Sequence, residues 1–262
     1  MIVNFHGVRG STPVSGPAFT IFGGHTSCVE IRTSQMQIIL DAGSGFQNVM
    51  LCDDLPVVIL FSHFHHDHIQ GLAFNKGLFA RRNDIFLASA LCDAAHLRDM
   101  LQIYFSGSYF PIDFIEGANN LRFVEFSVLA DMVASAFSVE TLSLNHFGGC
   151  VGYNIIMDDR KLCYLLDNEY EDAQQDSLAA FVQGANLVLW DGMFLAAELP
   201  NHRGWGHSSV EQGISFAENV DITRLAITHH APFRTDNDLL ALEALHGNER
   251  ILIAREGASV TL

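Results

Sequence analysis

Four histidines and an aspartate fall within six residues at His63-Phe64-His65-His66-Asp67-His68, after the apolar run Val57-Val58-Ile59-Leu60-Phe61 and Ser62. Imidazole and carboxylate donors at that density suit zinc, iron or manganese. In a strand of period two His63 and His65 share one side of the chain, and Asp67 and His68 follow at the turn into a short helix expected over Ile69 to Phe74. Two imidazoles from the strand end and a carboxylate–imidazole pair from the turn can serve two neighbouring cations, each with a position left for water. The plainer alternative is a cluster of surface histidines, but a strand buried on both faces seldom feeds so many titratable groups.

Groups of the same types stand where other apolar runs end. Met36 to Leu40 ends at Asp41, Ala136 to Leu144 at Asn145-His146, Lys161 to Leu166 at Asp167, Asn186 to Trp190 at Asp191, and Leu225 to Thr228 at His229-His230. Asp41 either accepts a hydrogen bond from a metal-bound imidazole or caps the short helix that follows. His66 and His230 neighbour presumptive ligands, where support of the site or exposure to solvent is the ordinary role. His207 lies in the glycine-rich loop Gly204-Trp205-Gly206-His207-Ser208-Ser209, with Ser208 the expected cap of a helix from about Val210 to Asn219. Arg9, in the loop Gly7 to Pro13, either meets a substrate phosphate or is solvated. The aromatic segment Tyr104 to Ile112 is either a lid over an apolar substrate group or packing beneath a neighbouring helix.

Strand runs alternating with helical segments predict an α/β protein whose sheets are covered by helices, with ligand groups gathered beyond the strand ends at one sheet edge. A single domain spanning 1–262 is expected at this length. Lys and Arg number 14 against 30 for Asp and Glu, a net charge of −16, which argues against a long nucleic acid and favours a small substrate. Five cysteines without Cys-x-x-Cys spacing read as reduced thiols. The start Met1-Ile2-Val3-Asn4-Phe5 reads as a strand, and no apolar segment reaches membrane-spanning length, so a cytoplasmic location is expected.

The motif His63, His65, Asp67, His68, followed in order by His146, Asp167 and His229, resembles the metallo-β-lactamase superfamily of binuclear metallohydrolases along nearly the whole chain. The stretches Gly7 to Pro13, Gly23 to Cys28, Ile39 to Gly45, Asn145 to Tyr153 and Gly204 to Ser209 are similar to the branch containing ribonuclease Z and the related small phosphodiesterases. Phe147, Cys150 and His25 depart from that branch, where Pro, a hydroxyl residue and Asn are usual. The resemblance implies a four-layer αββα sandwich with two divalent metal ions at one edge, zinc first, iron or manganese as alternatives. It implies that His63, His65 and His146 hold one ion, Asp67, His68 and His229 the other, and that Asp167 bridges them. The short interval between His146 and Asp167 leaves no room for the basic arm of many transfer-RNA-processing relatives.

Two such ions, about 3.5–4 Å apart, would share a hydroxide able to attack at neutral pH. Asp67 would orient it or take its proton, and His207 would protonate the leaving group. The expected activity is hydrolysis of a small phosphodiester such as a cyclic nucleotide. A carboxylic ester, lactone or thioester hydrolase on the same site is one alternative, and a non-hydrolytic di-iron sensor or binding protein is another. A homodimer is compatible with the resemblance, and no membrane partner is expected.

Overall fold

A computed structural model describes residues 1–262. The strands β1 (Ile2–Gly7), β2 (Cys28–Arg32), β3 (Gln37–Leu40), β4 (Val57–Leu60), β5 (Ile85–Ala88), β6 (Leu121–Phe123) and the last strand, β13 (Ser259–Thr261), form one sheet in the order β13-β1-β2-β3-β4-β5-β6. The strands β7 (Ser138–Leu144), β8 (Cys150–Met157), β9 (Arg160–Leu165), β10 (Leu187–Asp191), β11 (Leu225–Thr228) and β12 (Ile251–Ile253) form the second, in the order β12-β11-β10-β9-β8-β7. The helices are α1 (His66–Ile69), α2 (Lys76–Ala80), α3 (Ala94–Tyr104), α4 (Phe114–Gly117), α5 (Phe126–Val133), α6 (Gln175–Val182), α7 (Val210–Glu218) and α8 (Asp236–His246). None is long and apolar enough to cross a membrane.

Strand periodicity builds the layers. On β4, Val58 and Leu60 join a core with Val29 and Ile31 of β2 and with Tyr153, Ile155, Tyr164 and Leu189 of the second sheet. Val57 and Ile59 turn to the opposite face, against Ile69, Leu78, Leu97 and Leu101 of the helices. The second sheet is covered in the same way, with Val188, Trp190, Leu225 and Ile227 packed on Leu178, Val210, Phe216 and Leu239. One core lies between the sheets and one beneath the helices on each outer face, which is the αββα sandwich.

Register aligns the exits. In the parallel pairs of the first sheet Leu40 stands opposite Leu60, and Leu60 opposite Ala88. In the second, Leu165 stands opposite Trp190, and Trp190 opposite Ile227. The segments carrying Asp41, His63 to His68, Asp167, Asp191 and His229 therefore leave their sheets at matching levels.

Three local features differ from the sequence reading. The strand ends at Leu60, because the Asp41 carboxylate takes the Ser62 N–H at 2.7 Å, so His63 and His65 lie in the loop beyond it. The helix after the histidines begins at His66 and stops at Ile69, with a separate 3-10 turn at Leu72–Phe74. Ser209, not Ser208, caps α7, in a reciprocal box with Gln212.

Candidate metal centre

The seven donor residues expected from the sequence come together between the sheet edges. His63, His65, His146 and Asp167 form one group and Asp67, His68 and His229 a second, the donor atoms of each within 4.8 Å of one another. Asp167 touches both: its Oδ2 lies 3.6 Å from His63 Nε2 and 3.5 Å from the Nε2 atoms of His146 and His229, and its Oδ1 is 3.0 Å from His68 Nε2. Asp67 Oδ2 stands 3.4 Å from His68 Nε2 and 3.8 Å from His229 Nε2, and it accepts from the Ser11 N–H at 2.7 Å.

The outer nitrogens of the rings are already engaged, which fixes where the inner ones point. His68 Nδ1 donates to Asp41 at 2.7 Å and His146 Nδ1 to the Gly206 carbonyl at 2.8 Å. His229 Nδ1 pairs with Ser27 Oγ at 3.0 Å. Ser62 Oγ donates to Asp41 and is left to accept from His63 Nδ1 at 3.1 Å. Each Nε2 is thereby held toward Asp167, in the manner by which outer partners set the tautomer of a metal-binding imidazole. His65 differs, since its Nδ1 lies 2.9 Å from His146 Nε2.

Asp41 serves both groups, directly at His68 and through Ser62 at His63, and also accepts from Tyr164 Oη at 2.8 Å. Of its two possible roles, support of the imidazoles is the one present, for Gly43 occupies the cap position of the next short helix.

The donor set fits divalent cations. His63 Nε2, His68 Nε2, His229 Nε2 and Asp167 Oδ1 are buried without any hydrogen bond, and His68 Nε2 and Asp167 Oδ1 lie 3.0 Å apart without the alignment of one. Four orphaned polar atoms converging on one place would be costly unless a further group satisfied them. Burial favours neutral carboxyls, but the surrounding imidazoles outweigh it and hold Asp67 and Asp167 below the usual carboxylate range. Burial lowers the pKa values of His63 and His229. For His68 burial is overcome by Asp167, Asp67 and Asp41, which raise its pKa and hold a proton that a cation could replace.

The backbone is strained at the same place. Asp41, Asp167 and His229 all adopt positive φ, at 60°, 57° and 57°, a region costly for residues with a Cβ and sustained where packing over-determines it. Two glycines allow close approach: a Cβ on Gly10 would stand 2.5 Å from His229 Nε2, and one on Gly206 2.2 Å from His146 Nδ1.

His207 lies beside the cluster. Its Nδ1 donates to Asp191 Oδ2 at 2.8 Å, and its ring stacks on His229 with centroids 5.1 Å apart. Burial lowers its pKa, but the charge and hydrogen bond of Asp191 prevail and raise it to about 9. Asp191 is the partner the sequence left without a role; a carboxylate closing an apolar strand was its only signal. A cavity of about 360 Å³ adjoins His207 and is lined also by Tyr170, His202 and Arg203.

Three other residues turn away from the centre. Arg9 is neither solvated nor free for a phosphate: it is buried and donates to the carbonyls of Gly23 and Arg234, tying the first loop to the chain beyond His229. His230 is likewise buried, bonded to the Ala254 carbonyl. His66 is exposed and bonded to Tyr104.

The family described as "Beta-lactamase superfamily domain" matches residues 37–230. The chain belongs to the metallo-β-lactamase superfamily. Within the superfamily it falls in the ribonuclease Z-like branch. The ribonuclease Z of Metallosphaera sedula is 22% identical over 255 residues, covering 80% of this chain and 84% of that protein. The ribonuclease Z of Clostridium perfringens is 27% identical over 144 residues, but the match spans 49% of this chain and only 44% of that enzyme.

Three solved members of the superfamily's fold superpose over essentially the whole chain. The metallo-β-lactamase fold protein YhfI from Bacillus subtilis has a TM-score of 0.70 at 18% identity, covering 99% of both chains. Zn(2+)-bound PqqB from Methylobacterium extorquens has a TM-score of 0.70 at 14% identity, covering all of both chains. A diphosphatase from the PhnP family has a TM-score of 0.68 at 13% identity, covering 100% of this chain and 97% of that one. The family is one of metal-dependent hydrolases.

Proposed function

We propose that this protein is a binuclear phosphodiesterase that cleaves a small phosphodiester, such as a cyclic nucleotide, with two divalent ions, zinc first. His63, His65 and His146 would hold one ion, Asp67, His68 and His229 the other, with Asp167 shared. Such ions make water acidic enough to attack at neutral pH and polarise the oxygen of the bond to be broken. Asp67, ionised and fixed by Ser11 N–H, is placed to orient the attacking water and accept its proton. His207 delivers a proton to the departing oxygen, and Asp191 keeps that proton on the imidazole and the ring in one orientation.

The observation that carries this reading is the His207–Asp191 pair standing against the His229 ring. A departing alkoxide needs a proton, and a buried, carboxylate-supported imidazole beside the cluster is suited to give one. Two likenesses support it: curated relatives named ribonuclease Z, and a solved diphosphatase of the same fold. The acidic net charge favours a small substrate over RNA.

The inward turn of Arg9 favours the second reading, hydrolysis of a carboxylic ester, lactone or thioester, because it removes a cation the sequence had offered to a phosphate. Arg203, which lines the cavity beside His207 together with Glu169, Glu171 and Asp172, is the cation that remains for the first reading. Elemental analysis of the purified protein together with parallel assays on bis(p-nitrophenyl) phosphate, cyclic nucleotides and lactones tests both. Two metal ions per chain and turnover of diesters are expected. Turnover of lactones alone would reverse the order, and an iron-loaded protein inert on every substrate would favour a sensor.

A further inference from the structure

Helix α1 separates two environments. Asp67 and His68 are buried on the side of the candidate metal centre, whereas His66 is exposed and Gln70, four residues on and bonded through its N–H to the His66 carbonyl, shares the face of His66. Against that face lies a cavity of about 380 Å³, walled by Phe74, Tyr104, Tyr109 and Phe110 as well as by His66 and Gln70. Phe105, fully buried, forms part of its lining and meets Tyr104 and Phe110 edge-on, with centroids 4.7 Å and 5.4 Å away. Phe74 meets Phe110 at 5.8 Å. Phe74, Tyr104, Phe105 and Phe110 form one interlocked set on a fixed base, with Tyr109 beside it in the wall.

Two of these rings are left open to solvent, Tyr109 at 79% and Phe74 at 59% exposure. No Lys, Arg, Asp or Glu lines the cavity, so it offers nothing to a phosphate or to a second charged group. What it offers is π-faces and ring edges, with an imidazole and an amide at the rim. That combination recognises a flat, weakly polar ring bearing a few hydrogen-bonding atoms. Only the one-turn helix α1, about 10 Å across with its side chains, lies between it and the donor cluster, so a group in the cavity and a bond at the centre can belong to one small molecule.

We propose that this aromatic cavity binds a planar ring of the substrate, so that the preferred phosphodiester carries a nucleobase or an aryl group. The proposal rests on the phosphodiesterase reading for the identity of the scissile bond, but the cavity's preference for rings can be measured without turnover. The segment 104–112 is then both of the things its composition offered: Phe105 is core packing, and Tyr109 is a wall of the substrate site.

Calorimetric titration of the zinc-loaded protein with adenosine 5′-monophosphate and with ribose 5-phosphate isolates the contribution of the ring. The ring should tighten binding about tenfold, the scale of one base stacked on aromatic side chains. Tyr109→Ala and Phe74→Ala should each narrow the difference and the double variant should abolish it, while Tyr109→Phe retains it and zinc content and melting temperature stay unchanged. Equal affinity for the two ligands, or a difference that survives the double variant, overturns the proposal. A parent dimer that the double variant splits, with the ring's contribution untouched, also overturns it, since the rings would then be covering a second copy. Ring-dependent binding in a protein that cleaves no phosphodiester would uphold the cavity and defeat the proposed reaction instead.

Discussion

His207 stands within 4.8 Å of the Asp167 and His229 donors, but its Nδ1 is taken by Asp191, it makes no hydrogen bond to the orphaned atoms, and its ring stacks on that of His229. Its removal should therefore separate chemistry from metal binding. His207→Ala is expected to lower kcat on the order of 10²- to 10⁴-fold while metal content stays at the parent value; parallel loss of metal would make it a ligand. Asp191→Asn tests the tether. Asp191 raises the pKa of His207 to about 9, so activity that needs the protonated ring is present below that range and lost as pH rises through it. Without the carboxylate the alkaline limb of the pH–rate profile should move to lower pH; an unmoved limb would show that His207 is not the acid. The density of His and Asp beyond apolar runs made the donors legible in the sequence, because few other chemistries use those types so close together. The partners were less legible. That Asp41 reaches both His68 and Ser62, or that Arg9 turns inward to carbonyls, depends on loops brought together from distant parts of the chain.

At the scale of elements, strands whose side chains alternate between two apolar cores were the most readable, and β4 and β8 to β11 stand close to where hydrophobicity puts them. Short helices without a strong polar face were not: α4 and α5 escape the sequence because a few apolar residues do not distinguish a helical turn from a loop. Polar cross-ties between strands were equally hidden. Glu30, 2% exposed on β2, accepts from Asn4 and His6 of β1, from Arg32 and from Gln37 of β3, at 2.6–2.9 Å. Burial alone would raise its pKa, but these donors outweigh it and lower the value to about 2. The folded carboxyl is thus more acidic than the unfolded one, near 4.3, so its contribution is complete above that value and disappears as pH falls toward about 2. The shift corresponds to about 3 kcal/mol at neutral pH. Urea unfolding at pH 7 and pH 3 should show Glu30→Gln destabilised by about 2 kcal/mol at the higher pH and by about half as much at the lower. An equal deficit at both would mean that packing, not charge, is what Glu30 supplies.

Across the whole molecule, the donors are divided between the two sheets. His63, His65, Asp67 and His68 follow β4 of the seven-stranded sheet, whereas His146, Asp167 and His229 follow β7, β9 and β11 of the six-stranded one. The core between the sheets joins their faces, and cations in the cluster would clamp their edges. Without cations the edge gathers two ionised carboxylates and several orphaned nitrogens in a chain that already carries a net charge of −16, so opening there relieves both repulsion and desolvation. An ion that binds only the folded state at about a hundred times its dissociation constant stabilises by about 2.7 kcal/mol, so two contribute about 5 kcal/mol. For a chain of this size that corresponds to about 10 °C in melting temperature. Chelation should lower the melting temperature by roughly that amount, and zinc should restore it. Hydrogen exchange should rise first in Asp41 to Gly45, Ser62 to Ile69 and the turn around Asp167, while β13 and β6 at the outer edges change little. Were the melting temperature indifferent to chelator, or exchange raised evenly through both sheets, the cluster would not be the clamp between them, and the positive φ of Asp41, Asp167 and His229 would have to be sustained by packing alone.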